Sequence, residues 1–222
     1  MEKADPEFKV DDRQKSSVDS LQKLYATIVA FAFAQGALRF VDTLNWAAWS
    51  VKDTSQCILF VAFASTIVPF YHGMDRHLYD THIKRIDGDG RFIAKPSPML
   101  LDAFVFLIEG LLLVAMGRSL HDPAYFLLLW SALILVDVAW TTFVWKFQGS
   151  ANPIWLWNNL RWLTVAWAFY LALYAIKRVS GDAEWFIVIK AFFVATAEVC
   201  RSIFDYRAHW NYYFPPDQNR NS

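Results

Sequence analysis

Histidine, cysteine and net charge are all scarce in this chain. Its 222 residues include five histidines and two cysteines, and 21 basic residues balance 21 acidic ones. A charge balance of zero gives no argument for a nucleic-acid partner. Cys57 and Cys200 cannot make a disulfide framework, and they read as core- or lipid-packed thiols in opposite leaflets. The histidines are too few, and placed too near segment ends, for a di-iron or cytochrome b-type haem centre. No His-Glu-x-x-His is present, and no cofactor is expected. The alternation of a membrane barrel strand is missing. So is any internal repeat or inverted symmetry of the kind that marks many transporter folds. Residues 1–20 are charged and lack an apolar core, so a cleavable leader is not expected and the first apolar segment would act as its own signal.

What the chain does contain is hydrophobic and blocky. Hydrophobic residues make up 56% and charged residues only 19%, with 19 Phe and 11 Trp. A soluble core would spread its apolar residues at helical or strand period; here they come in long runs. Crossing a hydrocarbon core of roughly 30 Å takes about 20 helical residues. Six runs are long enough, at approximately 22–46, 54–75, 98–119, 123–147, 153–176 and 182–206. The expected fold is all-α: a polytopic membrane bundle of six helices with short loops, since only helices satisfy backbone groups within a segment in lipid. Residues 1–20 are expected to form a flexible cytoplasmic tail, 21–214 the membrane domain and 215–222 a second tail.

Proline and glycine punctuate these limits, at Pro98, Pro123 and Pro153 on helix starts and at Gly149 and Gly181 between helices. Orientation follows from Lys and Arg. One side collects residues such as Lys9, Arg13, Lys15, Arg76, Lys84, Arg85, Arg91, Lys95, Lys146, Arg207 and Arg220, against Arg39, Lys52, Arg118, Lys177 and Arg178 on the other. The rich side should be cytoplasmic, with both termini on it. Trp46, Trp49, Trp145, Trp157, Trp185 and Trp210 near helix ends suit an interfacial belt. The expected setting is a cell membrane, and a bacterial inner membrane fits the size and the short loops. Lipid is the expected partner, and homo-oligomerisation suits so small a bundle.

A charge at a helix centre in a membrane costs about 2.5–3.5 kcal/mol on insertion scales, so charged residues inside spans need partners or water. Glu109, Asp137, Arg161 and Glu198 all fall roughly 12–17 Å from the cytoplasmic ends of four different helices, at 1.5 Å per residue. Asn158 and Asn159 enter the same layer, and Asp102 and Arg39 lie nearer helix ends. An ion pair that fixes helix register explains such a layer as well as a hydrated cavity does. The excess of acid over base favours a proton-titrating or cation-attracting site. On the last helix Lys190, Val194, Glu198, Arg201 and Asp205 share one face, with Glu198–Arg201 and Arg201–Asp205 at pairing distance along it.

A third cluster is His72, Asp75, Arg76, His77, Asp80 and His82 at the end of the second helix. His72, Asp75 and His77 are the candidate metal ligands, although a solvated helix end is the better account of them. The loop beyond reads as a short hairpin over Ile83–Lys95 with its turn at Asp87–Gly90, since the further ligands of a calcium loop are missing. No side chain is singled out as catalytic. The leading expectation is a channel or transporter-like protein for a small ion or proton, using Glu109, Asp137, Arg161, Glu198 and Asn158. An enzyme acting on lipid through the His72–His82 cluster is one alternative. A sensor, anchor or complex subunit with structural ion pairs is the other.

Overall fold

The computed structural model describes residues 12–82, 99–148, 153–180, 185–208, 210 and 214. They form α1 (Asp12–Thr43), α2 (Val51–His82), α3 (Met99–Arg118), α4 (Pro123–Gln148), α5 (Pro153–Ser180) and α6 (Trp185–Ala208). The fold is all-α, as expected. The proposed hairpin over Ile83–Lys95 and the tail beyond Pro215 lie outside the described residues.

Local chemistry sets the helix starts. Ser50 and Asp53 make a reciprocal cap on α2: Ser50 N donates to Asp53 Oδ2 at 2.7 Å, and Asp53 N donates to Ser50 Oγ at 3.3 Å. Asn45 N also donates to Asp53 Oδ1 at 2.9 Å, which ties the 44–50 turn to the helix it precedes. Asp122 caps α4 by accepting from Ala124 N and Tyr125 N at 2.9 and 3.2 Å. Pro123 and Pro153 occupy first helical positions, where the missing N–H costs nothing.

Two helices outrun their expected limits. α1 begins at Asp12, so residues 12–20 are helical rather than a flexible tail, and α2 continues to His82 instead of ending near residue 75. The two extensions support each other: Val18 is fully buried in the core, and Gln22 Nε2 donates to the Asp75 carbonyl at 3.3 Å. Each 32-residue helix is about 48 Å long, well beyond the hydrocarbon thickness.

Neighbour contacts close the helices into a ring in the order α1, α2, α6, α5, α4, α3, with α2 also touching α3 and α4, and α4 touching α6, across it. The α1–α3 crossing is close because glycine meets glycine. A Cβ on Gly117 would sit 3.0 Å from the Gly36 Cα and 3.0 Å from the Phe63 ring. Phe63, Leu59, Leu113, Met116, Phe126, Trp130 and Leu133 fill the centre with no exposed surface or nearly none.

Polar and apolar residues are distributed inside out. On α3, Asp102, Glu109 and Met116 repeat every seven residues and are buried, while Leu100, Phe104, Leu107 and Leu111 are exposed. On α6, Glu198, Arg201 and Asp205 are buried and Phe192, Ile203 and Phe204 are exposed. Water would favour the reverse, so lipid is the solvent that suits these faces. Among the described residues, four helical stretches are long and apolar enough to cross a membrane: Lys15–Thr43, Val51–Tyr79, Met99–Arg118 and Pro123–Lys146. α5 and α6 are set apart by their polar residues, Asn158, Asn159 and Arg161 on one and Lys190, Glu198 and Arg201 on the other. Four apolar helices of this kind suggest a membrane-embedded protein.

Candidate functional site

A group of buried polar residues from α2, α3, α4, α5 and α6 lies inside the bundle. At its centre Arg201 donates to Glu198 twice, from Nε to Oε2 at 2.9 Å and from Nη2 to Oε1 at 2.8 Å. Both side chains are essentially fully buried. Trp130 Nε1 donates to Glu198 Oε2 from α4. A third guanidinium donation runs from Arg201 Nη1 to Asn159 Oδ1 at 3.3 Å, and Asn159 Nδ2 in turn donates to Asp137 Oδ2 at 2.6 Å. Asp205, also buried, lies within electrostatic reach of the same guanidinium, and the Phe70 ring covers it at 5.4 Å. A buried charge of this kind stands only where its hydrogen-bonding groups are filled. Glu198 meets that condition.

Pro69 adds a local reason for one further bond. Within α2 it has no N–H to offer the carbonyl four residues back, which is that of Ser65. Ser202 on α6 supplies the missing donor: its Oγ lies 3.0 Å from Ser65 O and 3.0 Å from Glu198 Oε1. One hydroxyl has one hydrogen, so it serves one acceptor at a time.

Glu109 and Asp137 are placed differently. Both are buried and close enough to interact electrostatically, and both line a small cavity with Phe70, Gly73, Met74, Phe106 and Trp140. Its free space of about 10 Å³ suits a single water or bare cation. The Tyr25 hydroxyl, from α1, lies within electrostatic reach of both carboxylates. It is buried with no hydrogen-bond partner among the described residues.

Trp140 links that cavity to the end of the bundle. Its Nε1 donates to Asp102 Oδ1 at 3.1 Å, and His77 packs edge-on against its ring at 4.2 Å. The other Asp102 oxygen lies 2.9 Å from His82 Nε2 and 3.4 Å from His77 Nε2. A polar trail therefore runs from His82 and His77 through Asp102 and Trp140 to Glu109 and Asp137, then through Asn159 and Arg201 to Glu198.

Among the residues singled out from sequence, Glu109, Asp137 and Glu198 come together in this interior. Arg161 does not: it is exposed on α5. It stands two residues, about 200° of helix, from the inward-facing Asn159. The guanidinium in the layer belongs to Arg201. Asn158 is partly buried, its Nδ2 unpartnered among the described residues, and its neighbour Asn159 makes the network bonds. The proposed ligand set of His72, Asp75 and His77 does not converge. His72 and His77 are five residues apart, about 140° around α2, and look at different partners. His72 Nδ1 meets Tyr206 Oη at 2.7 Å, while His77 meets Asp102 and Thr81. Among the described residues no three His, Cys, Asp or Glu side chains gather as a metal would need.

Sequence reasoning set Asp102 aside as lying near a helix end and passed over Trp130, Trp140 and Tyr25. Tryptophans in such a chain read as an interfacial belt, and only the fold shows which indoles turn inward. Ser202 had a usable signal, because it stands four residues from Glu198, beside the polar stripe of α6. No family model, curated protein or solved structure matches this chain.

Proposed function

We propose that this is an integral membrane protein of six spans that takes up or conducts a small cation, a proton above all, at Glu109 and Asp137. In this reading both termini face the cytoplasm of a cell membrane, and the polar interior lies in the cytoplasmic half. α5 and α6 cross as well: their charges cost little where they turn inward onto partners, and Arg161 reaches outward to the headgroups along its aliphatic stem.

The supporting observation is an imbalance between two halves of one network. Glu198 is filled by Arg201 and Trp130, as a scaffold acid should be. Glu109 and Asp137 share a water-sized cavity, and near them lies a tyrosine hydroxyl with no partner among the described residues. Two acids facing each other with one amide donation between them have capacity left for a proton or cation. Arg201 then serves as a fixed counter-charge that orients Asn159 toward Asp137, and the Asp102 cluster is the approach from the bundle end. A metal-dependent lipid enzyme draws less support, because its candidate ligands diverge around α2.

Reconstituted proteoliposomes with an internal pH indicator test the proposal. With an imposed potential, the wild-type protein should carry proton flux. Glu109→Gln and Asp137→Asn should each abolish it while thermal unfolding in detergent stays cooperative. Flux that survives both substitutions together would reject the role of this acid pair.

A further inference from the structure

Between α2 and α6 a groove of about 330 Å³ opens on the outside of the bundle. Val68, Val199 and Ile203 line its walls, and Val68 and Ile203 are themselves exposed. Ser65 and Ser202 close its inner end, joined by the bond across the Pro69 break. At the other end stand Arg207, in the last turn of α6, and Trp210.

We propose that this groove holds one acyl chain of an anionic phospholipid whose phosphate pairs with Arg207. Three features fit that occupant. From Val199 to Arg207 the α6 wall runs eight residues, about 12 Å. Half of a hydrocarbon core is about 15 Å, so the groove spans one leaflet's acyl layer and no more. Its walls are apolar over that length, where a chain would lie. Arg207 is exposed and has no carboxylate partner among the described residues, so its charge is available at the depth where phosphates lie. Trp210, packed at 4.5 Å against the Phe214 ring with the two planes tilted by 40°, gives the mouth the amphipathic ring that favours the headgroup boundary. A free anion would satisfy Arg207 and leave the apolar walls uncovered, and a zwitterionic lipid would bring its own cation beside the guanidinium. The inference rests on α6 crossing the membrane. It is independent of proton conduction, because the readout below is lipid occupancy.

The test uses the full-length protein in nanodiscs of phosphatidylcholine and phosphatidylglycerol in equal amounts, released into mild detergent and weighed by native mass spectrometry. The wild type should retain one phosphatidylglycerol, preferred about fivefold over phosphatidylcholine as one interfacial arginine implies. Arg207→Gln should erase the preference, Arg207→Lys should keep it, and Val199→Phe should lower retention of both lipids by filling the groove. Equal retention of the two lipids by the wild type, a preference that outlives Arg207→Gln, or unchanged retention in Val199→Phe would overturn the assignment.

Discussion

Removing the Arg201 guanidinium would leave Glu198 buried beside Trp130 and Ser202 with no cation. Arg201→Met should therefore destabilise the protein by about 3–5 kcal/mol, read as a fall in midpoint on thermal or denaturant unfolding in detergent. Replacing the acid as well, in Arg201→Met with Glu198→Leu, should return most of that loss, since a pair of well-packed apolar residues is often as stable as a buried ion pair. A double variant no more stable than Arg201→Met would show that the guanidinium acts through its other neighbours, Asn159, Asp205 and Asp137, rather than through Glu198. At this scale the sequence was partly readable. Depth along each helix located Glu109, Asp137 and Glu198, because insertion cost depends on distance from the helix ends. Rotation around the helix was harder to read. Arg161 has the right depth and the wrong azimuth, and the α6 stripe that did carry azimuthal information pointed to Arg201. The indole donors of Trp130 and Trp140 left no trace in the sequence that separates them from the lipid-facing tryptophans.

Helices α2 and α6 are coupled where Pro69 interrupts one and Ser202 repairs it. Ser202→Ala should cost about 1–3 kcal/mol by leaving the Ser65 carbonyl without a donor. In a Pro69→Ala background the helix can supply that donor itself, so the same Ser202→Ala change should cost measurably less. The double-mutant cycle gives the coupling directly, and a cost equal in both backgrounds would refute the repair. The α1–α3 crossing makes a separate claim. Gly117→Leu should destabilise by about 1–3 kcal/mol or force the helices apart, because Gly36 backbone and the Phe63 ring already occupy the space a side chain would need. Element positions were legible from runs of apolar residues with proline at their starts. The lengths of α1 and α2 were not. Their polar ends, Asp12–Lys23 and Asp75–His82, look solvated in isolation, but Val18 is buried, Gln22 bonds to the Asp75 carbonyl, and His77 and His82 meet Asp102.

Taken whole, the described helices present aliphatic and aromatic side chains outward, and Glu198, Asp205 and Asp137 gather around Arg201 inside. That arrangement suits hydrocarbon as the surrounding solvent, and α6 is the helix on which the proposal of six spans is most exposed. Its sequence carries more charge per residue than any of the four stretches apolar enough to cross on composition. Its burial pattern nevertheless hides Glu198, Arg201 and Asp205 while presenting Ile203 and Phe204. A single nitroxide on a cysteine placed at Ile203, with Cys57 and Cys200 replaced, reports which solvent meets that face. In reconstituted bilayers the spin label should collide freely with dissolved oxygen and be shielded from a water-soluble nickel chelate. Ready collision with the chelate and weak collision with oxygen would put α6 in water and contradict the account.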